Sequence, residues 1–216
     1  MTELVCSKPD RARWNLVLAH GAGAPMDSPF MQAFAEALTE MGVAVGGINV
    51  VRFEFPYMAK RRVAGGRGPP DRGPKLQAEY SQVVLGLRKC WPRRGLVIGG
   101  KSMGGRIASM IADEAGVDGL VCLGYPFHPA GKPERLRVAH LEGLVTPALF
   151  CQGSRDALGS EVEVAGYALN DGISFCWLPD GDHSFKPRKR SGFNLEQHYQ
   201  AAQARIIEFL TQLSRQ

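Results

Sequence analysis

Leu96–Gly105 reads LVIGGKSMGG, and the stretch RIASMIADE follows at once. Three apolar residues, a Gly-x-Ser-x-Gly turn at 100–104 and a helix-like run predict a strand that turns sharply into a helix, with Ser102 at the corner. The glycines have a steric reason. A serine in that corner occupies a sparsely populated backbone conformation, and side chains two residues to either side would collide with the neighbouring chain.

The same residues satisfy a second pattern, because Gly95–Ser102 also reads G-x-x-x-x-G-K-S, the phosphate loop of nucleotide-binding proteins. The intervening Leu96, Val97, Ile98 and Gly99 would then have to wrap a phosphate with their N–H groups. Three of them look like buried parallel strand, which leaves no loop to do so. No apolar strand ending in an aspartate that would hold magnesium accompanies the pattern, so the nucleotide reading is disfavoured.

Five further short apolar segments alternate with helical patterns: Leu16–Ala19, Val45–Phe53, Leu120–Leu123, Ala148–Cys151 and Ser174–Leu178. Helices are predicted over Pro29–Met41, Leu76–Cys90 and Asn194–Leu213. Alternation of this kind predicts a mostly parallel sheet of about six strands with helices on both faces. A chain of 216 residues suits one domain, 1–216. Ala59–Pro74, rich in Arg, Gly and Pro, reads as a long loop. Gly124–Pro147 leaves room for a loop and a helix but for no large lid.

In parallel sheets ligands bind beyond the carboxyl ends of the strands. The segments there are His20-Gly21-Ala22-Gly23-Ala24, Tyr125-Pro126-Phe127-His128-Pro129, Gln152-Gly153-Ser154-Arg155-Asp156 and Pro179-Asp180-Gly181-Asp182-His183-Ser184. A serine hydroxyl is a weak nucleophile until an imidazole takes its proton, and that imidazole needs a carboxylate to fix its tautomer. Ser102, Asp156 and His183, in that chain order and each past a strand end, are the candidate catalytic residues. The N–H groups of Met103 and Ala22 are the candidate donors to a developing oxyanion, with Gly21, Gly23 and Ala24 as neighbouring alternatives. Gly23, Tyr125, His128, Arg61 and Arg62 are candidate substrate contacts. Of the remaining histidines, His20 is expected to hold the loop that follows the first strand, and His140 and His198 to serve packing or surface roles. Asp180 and Asp182 flank His183 too closely to orient it.

These motifs, HGAGA at 20–24, GKSMG at 100–104, GYPFHP at 124–129, QGSRDALG at 152–159 and DHSF at 182–185, resemble the α/β-hydrolase superfamily. The resemblance is to its small lidless members, similar to dienelactone hydrolases and to the testis-expressed-protein-30-like group. It implies a single-domain α/β-hydrolase fold and a serine hydrolase with Ser102 as nucleophile, Asp156 as acid and His183 as base. It also implies cleavage of an ester or thioester through an acyl-enzyme, a route that calls for no metal and no organic cofactor. A catalytically silent binding protein on the same fold is the rival expectation, and the intact Ser, His and Asp set argues against it.

Charge bears on the substrate. Between Arg52 and Lys75 the basic residues Arg52, Lys60, Arg61, Arg62, Arg67, Arg72 and Lys75 face only Glu54 and Asp71, which accounts for the chain's formal excess of +5. A second cluster, Lys186, Arg188, Lys189 and Arg190, follows His183. Beside a solvated rim, the reading to test is attraction of anionic substrates such as acidic esters or coenzyme A thioesters. Nucleic acid is disfavoured, since no binding motif accompanies the charge. Five cysteines without a C-x-x-C pair and no apolar run of membrane length point to a reducing cytoplasm and no membrane partner. Nothing in the sequence selects an oligomeric state.

Overall fold

A computed structural model describes residues 3–7, 11–66 and 68–214. Arg67 of the basic segment, and residues 1, 2 and 8–10 of the N-terminal stretch, lie outside the described residues. The strands are β1 (Leu4–Cys6), β2 (Trp14–Ala19), β3 (Ile48–Phe53), β4 (Gly95–Lys101), β5 (Gly119–Leu123), β6 (Ala148–Gly153) and β7 (Ile173–Leu178). They form one sheet in the order β1-β3-β2-β4-β5-β6-β7, parallel throughout except for β1, which runs antiparallel to β3. The helices are α1 (Pro29–Met41), α2 (Pro56–Ala64), α3 (Gly73–Cys90), α4 (Met103–Ala115), α5 (Ala139–Glu142), α6 (Glu161–Val164) and α7 (Leu195–Leu213).

The central strands read as unbroken apolar runs because both faces are covered. Alternate residues feed two cores: Val17, Ala19, Leu96, Ile98, Leu120, Cys122 and Phe150 pack on the side of α2, α3 and α4. Leu16, Leu18, Val97, Val121, Leu149 and Cys151 pack on the side of α1 and α7. The α3 stripe Leu76, Tyr80, Val83, Val84 and Leu87 is buried along its whole length. Tyr80 also anchors the sheet, since its hydroxyl accepts from Gly99 N at 3.0 Å and lies 2.7 Å from Gly99 O.

Three sequence expectations change. The sheet has seven strands rather than six, because β1 is three partly exposed residues held at the edge only by pairing with Val51–Phe53. The third strand starts at Ile48, and Gly42–Val45 before it is a 3-10 turn. The segment Ala59–Pro74 is not loop throughout: Ala59–Ala64 completes α2, and α3 begins at Gly73. Pro56 starts α2 with its fixed φ, Tyr57 and Met58 dock it, and Lys and Arg are good helix formers.

The chain runs outward from β2 to β3 and then returns to the other side of β2 to form β4. That reversal opens a crevice beyond the carboxyl ends of β2 and β4, where α/β sheets bind ligands. The Ala22 loop and Ser102 both lie there.

Candidate active site

Ser102 sits between β4 and α4 at φ 52°, ψ −114°, a strained conformation for a residue with a Cβ. The strain persists because the surroundings fix it: Ser102 N donates to Leu123 O at 3.0 Å, and Arg106 N donates to Ser102 O at 3.0 Å. A Cβ on Gly100 would stand 2.3 Å from Ala19 O, and one on Gly104 2.4 Å from the same oxygen. The two glycines therefore let β2 press against both sides of the turn. Gly95–Lys101 is strand throughout, so the residues that a phosphate loop would need are in the sheet.

Past β6, Asp156 is fully enclosed; past β7, His183 keeps its side chain 28% exposed. The structure brings the three residues together. His183 Nδ1 lies 2.7 Å from Asp156 Oδ2, and His183 Nε2 lies 2.8 Å from Ser102 Oγ. A carboxylate can only accept, so the imidazole proton sits on Nδ1 and the Nε2 lone pair faces the serine hydroxyl. The same Asp156 receives Leu158 N at 2.8 Å on Oδ1 and Gln152 Nε2 at 2.9 Å on Oδ2. Gln152 also accepts from Tyr125 N at 2.6 Å, tying the carboxylate to the segment after β5. The turn that presents His183 is closed by Asp182, whose Oδ1 accepts from Ser184 N and Lys186 N. Asp180 is engaged by Arg188 and Arg155, so neither flanking acid is available to His183.

Lys101, the residue before the serine, carries no sequence signal beyond the phosphate-loop pattern that β4 rules out. Its ammonium donates to His183 O and lies over the faces of Phe30 and Phe185, 5.3 and 5.7 Å from their ring centres. Burial pulls its pKa from 10.5 down to about 8, against the opposing pull of the Asp156 and Asp182 charges. Lys101 thus links the serine turn to the histidine loop. A lysine in x of Gly-x-Ser was the only signal, and its reach to residue 183 exists only in three dimensions.

A cleft of about 380 Å³ opens above Ser102, lined by Ala22, Met103, Arg106, His128 and Arg137 among others. Of Gly21–Ala24 only Ala22 lines it. Neither Ala22 N nor Met103 N donates to a backbone acceptor among the described residues. The Ala22 carbonyl is held by Tyr57 Oη at 3.2 Å and Arg61 Nη1 at 3.1 Å. His20 secures the loop from below: Phe55 N donates to its Nε2 at 3.1 Å, which places the proton on Nδ1, 2.7 Å from Gly21 O.

The other expected substrate contacts divide. His128 reaches the cleft wall, although it is only 3% exposed and its Nε2 faces Glu163 at 3.5 Å. Gly23 is exposed beside Ala22 but is not among the cleft-lining residues. Tyr125 does not contact the cleft: it is fully buried, stacked on Phe150, with its hydroxyl bonded to Arg137 O at 3.1 Å. Arg62 is engaged elsewhere, bonded to Asp27 at 2.9 Å and to Glu54. Arg61 braces the Ala22 loop. The sequence reading missed Arg106 and Arg137, whose place in the cleft depends on how the 124–147 segment returns over α4.

No helix among the described residues is long and apolar enough to cross a membrane. Solved structures share this architecture. A lidless α/β serine hydrolase from Xanthomonas campestris superposes with a TM-score of 0.70 at 23% identity, covering 96% of this chain and 88% of that one. A dienelactone hydrolase from Anabaena variabilis gives 0.69 at 20%, covering 96% and 91%. An α/β serine hydrolase homologue from Coxiella burnetii gives 0.69 at 18%, covering 98% and 90%. At these identities the likeness is one of fold. The sequence itself matches the α/β hydrolase domain family over residues 12–211, nearly its whole length. The chain belongs to the α/β hydrolase family and is a small member of it without a lid.

Proposed function

We propose that this hydrolase cleaves a carboxylic ester or thioester through an acyl-enzyme, with Ser102, His183 and Asp156 as the reacting set. The observation that carries the proposal is the unbroken hydrogen-bonded chain from Ser102 Oγ through the imidazole to Asp156, with Nε2 in the accepting state. As Oγ attacks the carbonyl carbon, its proton passes to Nε2 and the carbonyl electron pair moves onto oxygen. The N–H groups of Met103 and Ala22 stabilise that oxyanion. Collapse breaks the bond to the leaving alcohol or thiol, which takes the proton from Nε2. Water then repeats the sequence: it gives its proton to Nε2, attacks the acyl carbon, and the acid departs as the proton returns to Ser102 Oγ. Asp156 holds the imidazole and offsets the charge of the imidazolium without itself taking the proton.

The experiment is hydrolysis of p-nitrophenyl butyrate by wild type and Ser102→Ala, with the acyl-enzyme sought by intact mass after a rapid quench. We expect turnover, a butyryl adduct on the wild type, and a loss of about 10⁴-fold or more in kcat for the variant. Equal rates for the two proteins would contradict the proposal.

A further inference from the structure

Among the described residues that line the cleft beside Ser102 there are two arginines and no carboxylate. Arg106 lies one turn into α4, and Arg137 is fixed by its own backbone, with its N donating to Phe127 O at 2.7 Å and its carbonyl accepting from Tyr125 Oη. Among the described residues neither guanidinium has an ion-pair partner, and Arg106 Nε is buried without a hydrogen-bond partner. Both line the same cleft, and burial first, with the Arg106 charge second, lowers the pKa of Arg137. The rim arginines differ, since Arg62 engages Asp27 and Glu54, and Arg188 engages Asp180. The acid facing the cleft histidine, Glu163, is directed at His128 and at the Ser160 cap.

Two like charges on rigid backbone in a half-buried cleft are unfavourable until an anion joins them. Guanidinium groups present paired donors that match the oxygens of a carboxylate or a phosphate. We propose that Arg106 and Arg137 form an anion subsite, and that the ester taken by this cleft bears a carboxylate or phosphate group a short chain away from the scissile carbonyl. Met103 and Arg106 are separated by about 5 Å of helix, which sets the reach of that chain. The inference rests on Ser102 as the nucleophile for its catalytic meaning, while the anion subsite stands on the arginines alone.

The test compares mono-p-nitrophenyl glutarate with p-nitrophenyl pentanoate, which match in chain length and differ in the terminal carboxylate. Wild type is expected to favour the anionic ester at least about tenfold in kcat/KM. That ratio should collapse toward one in Arg106→Met and in Arg137→Met, and persist in Arg93→Met, which removes an exposed cation at the opposite end of β4. Free glutarate and inorganic phosphate, tested as competitive inhibitors, tell which oxyanion the pair prefers. In parallel, calorimetry measures binding of glutarate and phosphate to Ser102→Ala with and without Arg137→Met. A ratio near one in wild type, or a preference that survives both arginine substitutions, overturns the subsite and leaves the hydrolase reading intact. Arginine-dependent anion binding with no hydrolysis of either ester overturns the hydrolase reading and supports the subsite. Absence of both binding and preference overturns the subsite outright.

Discussion

Helix α4 sits beside two serine–histidine pairs of the same length. Ser102 Oγ and His183 Nε2 are 2.8 Å apart at its start, and Ser109 Oγ and His140 Nε2 are 2.8 Å apart two turns further on. The protons run in opposite directions. Ser109 gives its own proton to Arg106 O at 2.8 Å, and Tyr125 Oη, 3.3 Å from the same imidazole nitrogen, gives its proton to Arg137 O. With both hydroxyl protons directed at carbonyls, His140 Nε2 is the donor that completes the group, and burial, then the Arg106 charge, lowers the ring's pKa and so favours its neutral form. At His183 the carboxylate of Asp156 claims the Nδ1 proton and frees Nε2 to accept. A short Ser–His distance is therefore not a catalytic signature; the partner on the far side of the ring decides whether the imidazole is a base or a structural donor.

The contrast is broken most severely at the acceptor. Replacing His183 with Ala removes the base and is expected to lower kcat by about 10⁴-fold or more, measured on p-nitrophenyl butyrate. Asp156→Asn keeps the shape but allows the ring to adopt the other tautomer, and a loss of about 10⁴-fold in kcat is expected. An Asp156→Asn enzyme within tenfold of wild type would mean that another group orients the ring.

Lys101 gives a smaller effect with a definite sign. The unfolded chain holds the lysine proton to its ordinary pKa near 10.5, while the folded protein releases it near 8. Between those values the unfolded state binds more protons, so the lysine's own contribution to stability rises as pH increases from about 8 to 10.5, against the opposite slope of the buried Cys122 and Cys151 thiols, whose pKa is pushed up by burial and, at Cys151, first by a hydrogen bond with Cys176. Lys101→Met should flatten that rise, read as the urea midpoint against pH. A slope unchanged by the substitution contradicts the burial of the ammonium.

His20 has the same sign at lower pH. Burial lowers its pKa, so the unfolded chain takes up the proton first, and stability should fall as pH drops below about 6.5. His20→Gln is expected to reduce that acid-side loss, measured by thermal unfolding between pH 7 and pH 5. The smallest effect belongs to the second pair. Ser109→Ala should cost about 1 kcal/mol of stability, read by urea unfolding, and leave ester turnover within twofold.

Much of this site was legible before any coordinates, because steric and chemical demands fall on few residues. Gly100 and Gly104 are glycines because Ala19 O stands where a side chain would go, and Ser102, Asp156 and His183 each lie shortly past the carboxyl end of a strand. What escaped depends on distant parts of the chain. The three residues of β1 carry no periodicity to read and exist as a strand only against β3. The basic run in α2 masked a helix that Tyr57 and Met58 dock. Tyr125 and His128 leave the same strand end, yet Tyr125 packs inward on Phe127 and Phe150 while His128 reaches the cleft wall. Arg106 reads as an ordinary helix residue in the sequence, because only the fold of the 124–147 segment places Arg137 in the same cleft.

The most direct measurement is covalent labelling of the wild-type protein with a fluorophosphonate, followed by peptide mapping, alongside Ser102→Ala and Ser109→Ala. A single adduct on Ser102, absent from Ser102→Ala and retained in Ser109→Ala, is the predicted result. Labelling that persists in Ser102→Ala, or that maps to Ser109, would contradict the assignment of the base to His183.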